Sequence, residues 1–115
     1  MMASTSEPAP GEIWYARFSP VVGHGQGGES PCLGMADDRF NRSRAHFVLP
    51  IARTQRGLAS HVKVDPPEGG LKAVSFVECE AMRSISEERL QSRWGKVFAE
   101  TMNTVEDHLR ILMNL

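Results

Sequence analysis

Cysteine is scarce in this chain. Cys32 and Cys79 stand far apart and form no Cys-x-x-Cys pair. No disulfide framework or redox motif is expected, and both thiols read as buried and free. The four histidines, His24, His46, His61 and His108, share no ligand spacing, so no zinc site is expected. No apolar run approaches the ~18 residues that a membrane span needs. No Gly-Lys-Ser/Thr follows the glycine-rich stretch at 23–31, which excludes a phosphate-cradling P-loop. A dominant charge of one sign is also lacking. The net charge is −1 over 115 residues, which argues against a surface coated for nucleic acid. The first ten residues have neither the basic start nor the apolar centre of a secretion signal. Rich in Ser, Thr, Ala and Pro, positions 1–10 read as a disordered leader before a single domain at 11–115.

What the chain does have is local concentration. Four of its ten glycines, Gly23, Gly25, Gly27 and Gly28, fall within nine residues between two apolar runs. Glycine admits sharp bends and close backbone approach, so this stretch reads as a hairpin loop that presents bare N–H groups. Positive charge is concentrated too. Positions 39 to 64 hold Arg39, Arg42, Arg44, Arg53, Arg56 and Lys63 with no acid, a local +6 against −7 elsewhere. Such asymmetry allows an anion-binding face.

Apolar and β-forming residues predict strands over 12–18, 32–36, 45–51, 60–64 and 71–77. Pro50 has no N–H for a ladder, so its strand is expected to end there or to lie at an edge. Ser86 reads as the cap of a short helical turn over 86–90, and Gly95 as a break. Phe98, Met102, Val105, Leu109 and Leu112 recur at helical spacing and share one face, which predicts a C-terminal helix packed on the core. Short antiparallel strands followed by a helix give a mainly β, or α+β, domain: a small barrel or twisted sheet capped by the terminal helix.

At this point the segments resemble, in order, the MazF/PemK family of bacterial toxins. Gly11-Glu12-Ile13-Trp14 is similar to the family's opening, and the glycine loop to its Gly-x-Glu-Gln-x-Gly-x-Arg-Pro signature. Asp37-Asp38-Arg39-Phe40-Asn41, Leu49-Pro50-Ile51, His61-Val62, Gly70-Leu71 and Met82-Arg83-Ser84-Ile85 follow in family order. The resemblance implies an SH3-like barrel, shared with the CcdB gyrase poisons, with a C-terminal helix. It implies a cytoplasmic homodimer and a cognate antitoxin whose tail wraps the dimer. It implies a metal-independent endoribonuclease that cuts single-stranded mRNA and needs no cofactor. In that chemistry the ribose 2′-OH attacks the adjacent phosphorus, leaving a cyclic phosphate and a 5′-OH.

The chain departs from this pattern at the chemistry. Ser30 stands at the family's arginine position and Ala52 at its threonine position; Gly25 and Ala81 stand where a glutamate and a glutamine are usual. An arginine grips two phosphate oxygens with permanent charge, whereas serine offers one neutral hydroxyl. Weakened or absent cleavage is therefore expected, with Arg53 as a possible substitute beside the vacant threonine position. Gln26, Thr54, Arg56 and Arg83 are the candidate RNA-binding residues. Arg83 is equally suited to an ion pair with Glu78 or Glu80. Trp14 is expected in the core, and Trp94 against the terminal helix. The alternative reading is a CcdB-like gyrase-poisoning toxin or a non-catalytic binding toxin.

Overall fold

The computed structural model describes residues 9–18, 28–37, 44–54 and 57–115. Among them the chain forms β1 (Glu12–Phe18), β2 (Gly28–Asp37), β3 (Ala45–Ala52), β4 (His61–Val64), β5 (Ser75–Glu78), β6 (Arg83–Ser86), β7 (Leu90–Lys96) and α1 (Ala99–Met113). The leader at 1–8, most of the glycine loop, Gln26 and Arg56 lie outside the described residues. The strand order is β4-β5-β3-β2-β1-β7, with β6 also paired to β3, and every pairing is antiparallel. This is the expected class, an antiparallel sheet with one C-terminal helix. Among the described residues no pairing joins β7 to β4 or β6, so the ring of hydrogen bonds is open.

The sheet buries both faces. Ile13, Leu33, Leu49, Val64 and Val77 point to one side, where Val105 of α1 joins them. Trp14, Ala16, Phe18, Cys32, Val48 and Ile85 point to the other. Neighbours such as Ile13 and Trp14, or Val48 and Leu49, therefore go to opposite cores. That is why these strands read as apolar runs rather than as clean alternation. Trp14 is in the core, as expected. Both cysteines are buried and free. Burial pushes the Cys32 thiol up to about 12, and burial with the nearby Glu80 charge pushes Cys79 up to about 11, so both stay protonated.

Four expectations need correction. Pro50 neither ends its strand nor lies at an edge: β3 runs on to Ala52 with neighbours on both sides. One flank of β3 pairs with β6 as far as Val48 and with β5 from Ile51. Pro50 falls in the gap between these partners, so its missing N–H breaks no ladder there. The turn at 86–90 is real only as a single 3-10 turn, Glu87–Arg89, and Ser86 ends β6 without capping it. Gly95 is no break but part of β7. The run at 71–77 becomes strand only at Ser75, because a 3-10 turn at Glu68–Gly70 and a bend after Leu71 precede it.

Helix α1 buries the middle of its apolar stripe. Val105 is buried, Met102 and Leu109 are partly buried, but Phe98 and Leu112 at the stripe's ends are 61% and 47% exposed. Its N-terminus has no cap of its own. Glu68 supplies one from the 3-10 turn, accepting from the Phe98 N–H at 2.9 Å and from the Thr101 hydroxyl. The carboxylate thus meets the positive end of the helix dipole.

Candidate active site

The sheet carries a cavity of about 620 Å³ that is open to solvent. Tyr15 of β1, Glu29, Ser30 and Pro31 of β2, Ile51 and Ala52 of β3, Ser75 of β5 and Trp94 of β7 line it, with the exposed Arg53, Thr54 and Lys72 at its margins. Antiparallel register explains the assembly. Tyr15 faces Pro31 and Ala16 faces Ser30 across β1 and β2, while Cys32 faces Pro50 across β2 and β3. The start of β2 and the end of β3 thus come together at the same end of the sheet.

Trp94 arrives by a different device. Ile13 pairs with Gly95 and Trp14 with Arg93, so Trp94 is the extra residue of a β-bulge. Bulges re-aim a side chain out of the regular pleat. Trp94 stacks on Tyr15, with ring centroids 5.2 Å apart and planes 8° from parallel. Trp94, expected against the terminal helix, packs against the core cluster that Val105 of α1 joins, and it stacks on Tyr15 as well. Gly69, Gly70 and Gly95 hold the bulge in place. A Cβ on Gly95 would lie 2.6 Å from the Gly69 carbonyl carbon, closer than side chains tolerate. Glu12 fastens the same edge, accepting from Arg93 Nε at 2.7 Å, Ala9 N at 2.8 Å and Trp14 Nε1 at 3.1 Å. Burial pushes the Glu12 carboxyl up, but these donors outweigh it and hold the group below its ordinary 4.5.

Ser30, Ala52, Arg53 and Thr54 all reach the cavity, as one group. The Ser30 hydroxyl is buried and has no hydrogen-bond partner among the described residues. Arg53 and Thr54 are exposed at the rim. Gln26 and Arg56 lie outside the described residues. Arg83 is not among the lining residues, and it pairs with neither Glu78 nor Glu80. Its guanidinium lies over the Phe18 ring, 4.8 Å from the centroid, a cation–π contact. His61 is also elsewhere, against Glu80 at 3.0 Å. Burial raises the Glu80 carboxyl, but hydrogen bonds from Ser60, its own amide and His61 bring it below 4.5.

Sequence reasoning did not bring Tyr15, Glu29 or Lys72 to a site, and it favoured helix packing over base stacking for Trp94. Tyr15 and Trp94 become neighbours only through the β1–β7 pairing, and β7 itself was not anticipated. A Trp-Gly pair inside a β-rich segment was the available signal, since bulges favour glycine beside a re-aimed residue.

Residues 9–113 match the family described as PemK-like, MazF-like toxin of type II toxin-antitoxin system. The chain belongs to this family. The MazF/PemK relationship extends to proteins of known sequence and structure. Endoribonuclease EndoA of Bacillus subtilis (strain 168) is 34% identical over 108 residues, covering 91% of this chain and 93% of its own. MazF from Deinococcus radiodurans has the same fold, with a TM-score of 0.77 at 23% identity over 94% of this chain and 97% of that one. So has a mycobacterial endoribonuclease in complex with its cognate antitoxin, with a TM-score of 0.72 at 19% identity over 94% and 96%. Ser30 and Ala52, at the positions where the sequence resemblance implies arginine and threonine, both line this cavity.

Proposed function

We propose that this chain is the toxin of a type II toxin–antitoxin pair, and that it binds single-stranded RNA across the cavity while cleaving it slowly or not at all. The observation that carries this reading is the meeting of Ser30 and Ala52, from different strands, at a single cavity with Arg53 at its rim. Phosphodiester transfer from a 2′-OH needs a base for that hydroxyl, a cation or donor for the phosphorane oxygens, and an acid for the departing 5′ oxygen. The Ala52 methyl supplies none of these. The Ser30 hydroxyl is neutral and turned away from solvent. Losing one well-placed electrostatic donor costs ~10²–10³ in rate, and groups that act as a unit do not compensate one another.

Binding asks less of the site. The Tyr15–Trp94 stack presents aromatic surface to the cavity, and Arg53 and Lys72 bring positive charge to its margins. Unpaired bases stack on such surfaces, and the backbone follows the charge. The antitoxin, the homodimer and a cytoplasmic setting belong to the same proposal, supported by family membership and by the fold shared with an endoribonuclease bound to its antitoxin.

The test is cleavage of a long single-stranded RNA with mapping of 5′-OH ends, beside the double variant Ser30→Arg, Ala52→Thr. The chain as it stands is expected to cut weakly or not at all, and the double variant to cut. Robust cleavage by the unaltered chain overturns the slow-enzyme reading. Because Arg53 lines the cavity next to the vacant threonine position, a second reading has it serving the phosphate. If the unaltered chain cuts, and Arg53→Ala abolishes that cutting with RNA binding largely kept, this second reading replaces the first.

A further inference from the structure

His61, Glu78 and Glu80 form a second cluster, away from the cavity and outside the function proposed above. His61 opens β4, Glu78 ends β5, and Glu80 lies in the 3-10 turn Cys79–Ala81 that follows. The β4–β5 register sets His61 opposite Glu78, and the turn folds Glu80 back to the same imidazole. His61 Nε2 stands 3.0 Å from Glu80 Oε2 and 4.0 Å from Glu78 Oε2. One donor atom from each residue falls within 4.8 Å of the others. The His61 side chain is 3% exposed and that of Glu78 is 8% exposed. Among the described residues no hydrogen bond reaches the Glu78 carboxylate, and 4.0 Å to the imidazole is beyond hydrogen-bond reach. A carboxylate on a side chain this buried is costly to keep charged unless a cation or donors meet it.

We propose that His61 Nε2, Glu78 and Glu80 bind one divalent transition-metal ion, zinc fitting best. Zinc bonds of ~2.0–2.2 Å set tetrahedral donors roughly 3.3–3.5 Å apart. The two distances from the imidazole, 3.0 and 4.0 Å, bracket that separation and the third edge is no longer than 4.8 Å, so closing the site takes side-chain shifts of up to about 1 Å. An imidazole beside two carboxylates suits zinc and its first-row neighbours, whereas magnesium and calcium take oxygen alone. Glu80, with 36% of its side chain exposed, opens the site to solvent and leaves room for a water as fourth ligand. The Ser60 hydroxyl donates to the other Glu80 oxygen at 2.7 Å and fixes which oxygen faces the site. With zinc on Nε2 the imidazole proton resides on Nδ1, which has no acceptor among the described residues. A missing outer partner of this kind costs ~10–100-fold in affinity, so binding on the order of micromolar is expected.

The experiment is a calorimetric titration of the full chain with zinc alone, repeated with cobalt(II) to read its visible absorption. One equivalent should bind, the cobalt spectrum should have tetrahedral intensity, and Glu78→Gln and Glu80→Gln should each weaken binding at least tenfold. His108→Ala, a half-buried position on α1 outside the cluster, should change nothing. Should Glu78→Gln fail to fold, Glu80→Gln still decides, because its side chain is partly exposed. No binding to the unaltered chain, binding untouched by the Gln variants, or equal loss in His108→Ala overturns the proposal. RNA cleavage is not part of the readout, so this site and the proposed ribonuclease stand or fall separately.

Discussion

Both walls of the cavity are held by strand pairing, but on the β1–β7 wall the side chains at the cavity are also fastened, whereas among the described residues Ser30 and Ala52 of the β2–β3 wall are not. On the first, Glu12 collects three donors, Trp94 stacks on Tyr15, and Gly95 packs backbone against the Gly69–Gly70 turn. On the second, the Ser30 hydroxyl has no partner among the described residues and Ala52 offers a methyl group. The two walls answer to different demands. An aromatic platform has to be held in place, and packing with a few hydrogen bonds does that. A phosphoryl-transfer wall has to carry charge or donors at set points, and packing supplies neither. On the function proposed above, the cavity keeps an aromatic platform for RNA while the side that would carry the reaction lacks its donors.

The strongest way to break this contrast is to refill the second wall. Ser30→Arg with Ala52→Thr should raise the rate of RNA cleavage by ~10²–10³ or more over the unaltered chain, measured under single-turnover conditions. Unchanged RNA affinity alongside that gain would mean the new groups act in the transition state. No gain, in a folded variant, would mean the wall lacks more than those two groups.

The next largest effect comes from disturbing the first wall. In Gly95→Ala the new methyl would meet the Gly69 carbonyl carbon at 2.6 Å and the Gly70 nitrogen at 2.9 Å. Both are backbone atoms, which cannot swing aside as a side-chain tip does. A loss of about 1–3 kcal/mol in stability is expected from such overpacking, read from urea denaturation. Fluorescence of Trp94 should shift too, since its bulge must move. A variant as stable as the parent would show that the Gly69–Gly70 turn is not what holds the aromatic wall.

These walls also differ in how legible they were. The β2–β3 wall could be read from the chain, because Ser30 and Ala52 sit inside contiguous segments that resemble family motifs. Local order was enough, and the structure then brought both positions to one cavity. The β1–β7 wall could not be read so. Tyr15 and Trp94 are 79 positions apart in the chain, and β7 lacks the apolar alternation that marks a strand, having little buried surface. Pro50 misled for a related reason. Its rule concerns ladder bonds, and only the switch of β3 from β6 to β5 shows that none is required there. His61, Glu78 and Glu80 escaped notice because ligand spacing was sought along the chain, whereas a β-register and a turn gather them across it.

The smallest effect concerns the fastening of the first wall, and pH reads it. Glu12 is ionised more readily in the folded chain than at its ordinary 4.5, because the Ala9, Arg93 and Trp14 donors outweigh the burial that raises it. A depressed folded value contributes stability that is complete above the unfolded value and is lost as pH falls through the folded one. Stability should therefore decline from about pH 5 downward, in part through Glu12. Glu12→Gln removes that part. The difference between parent and variant in urea midpoint should be largest near neutral pH and shrink as pH falls below the ordinary 4.5 and the parent's Glu12 also becomes neutral. Arg93 is 48% exposed, so salt should narrow the same difference at neutral pH. A constant difference across the range would mean that Glu12 holds the β1–β7 edge by shape, like the rest of that wall, and not by charge.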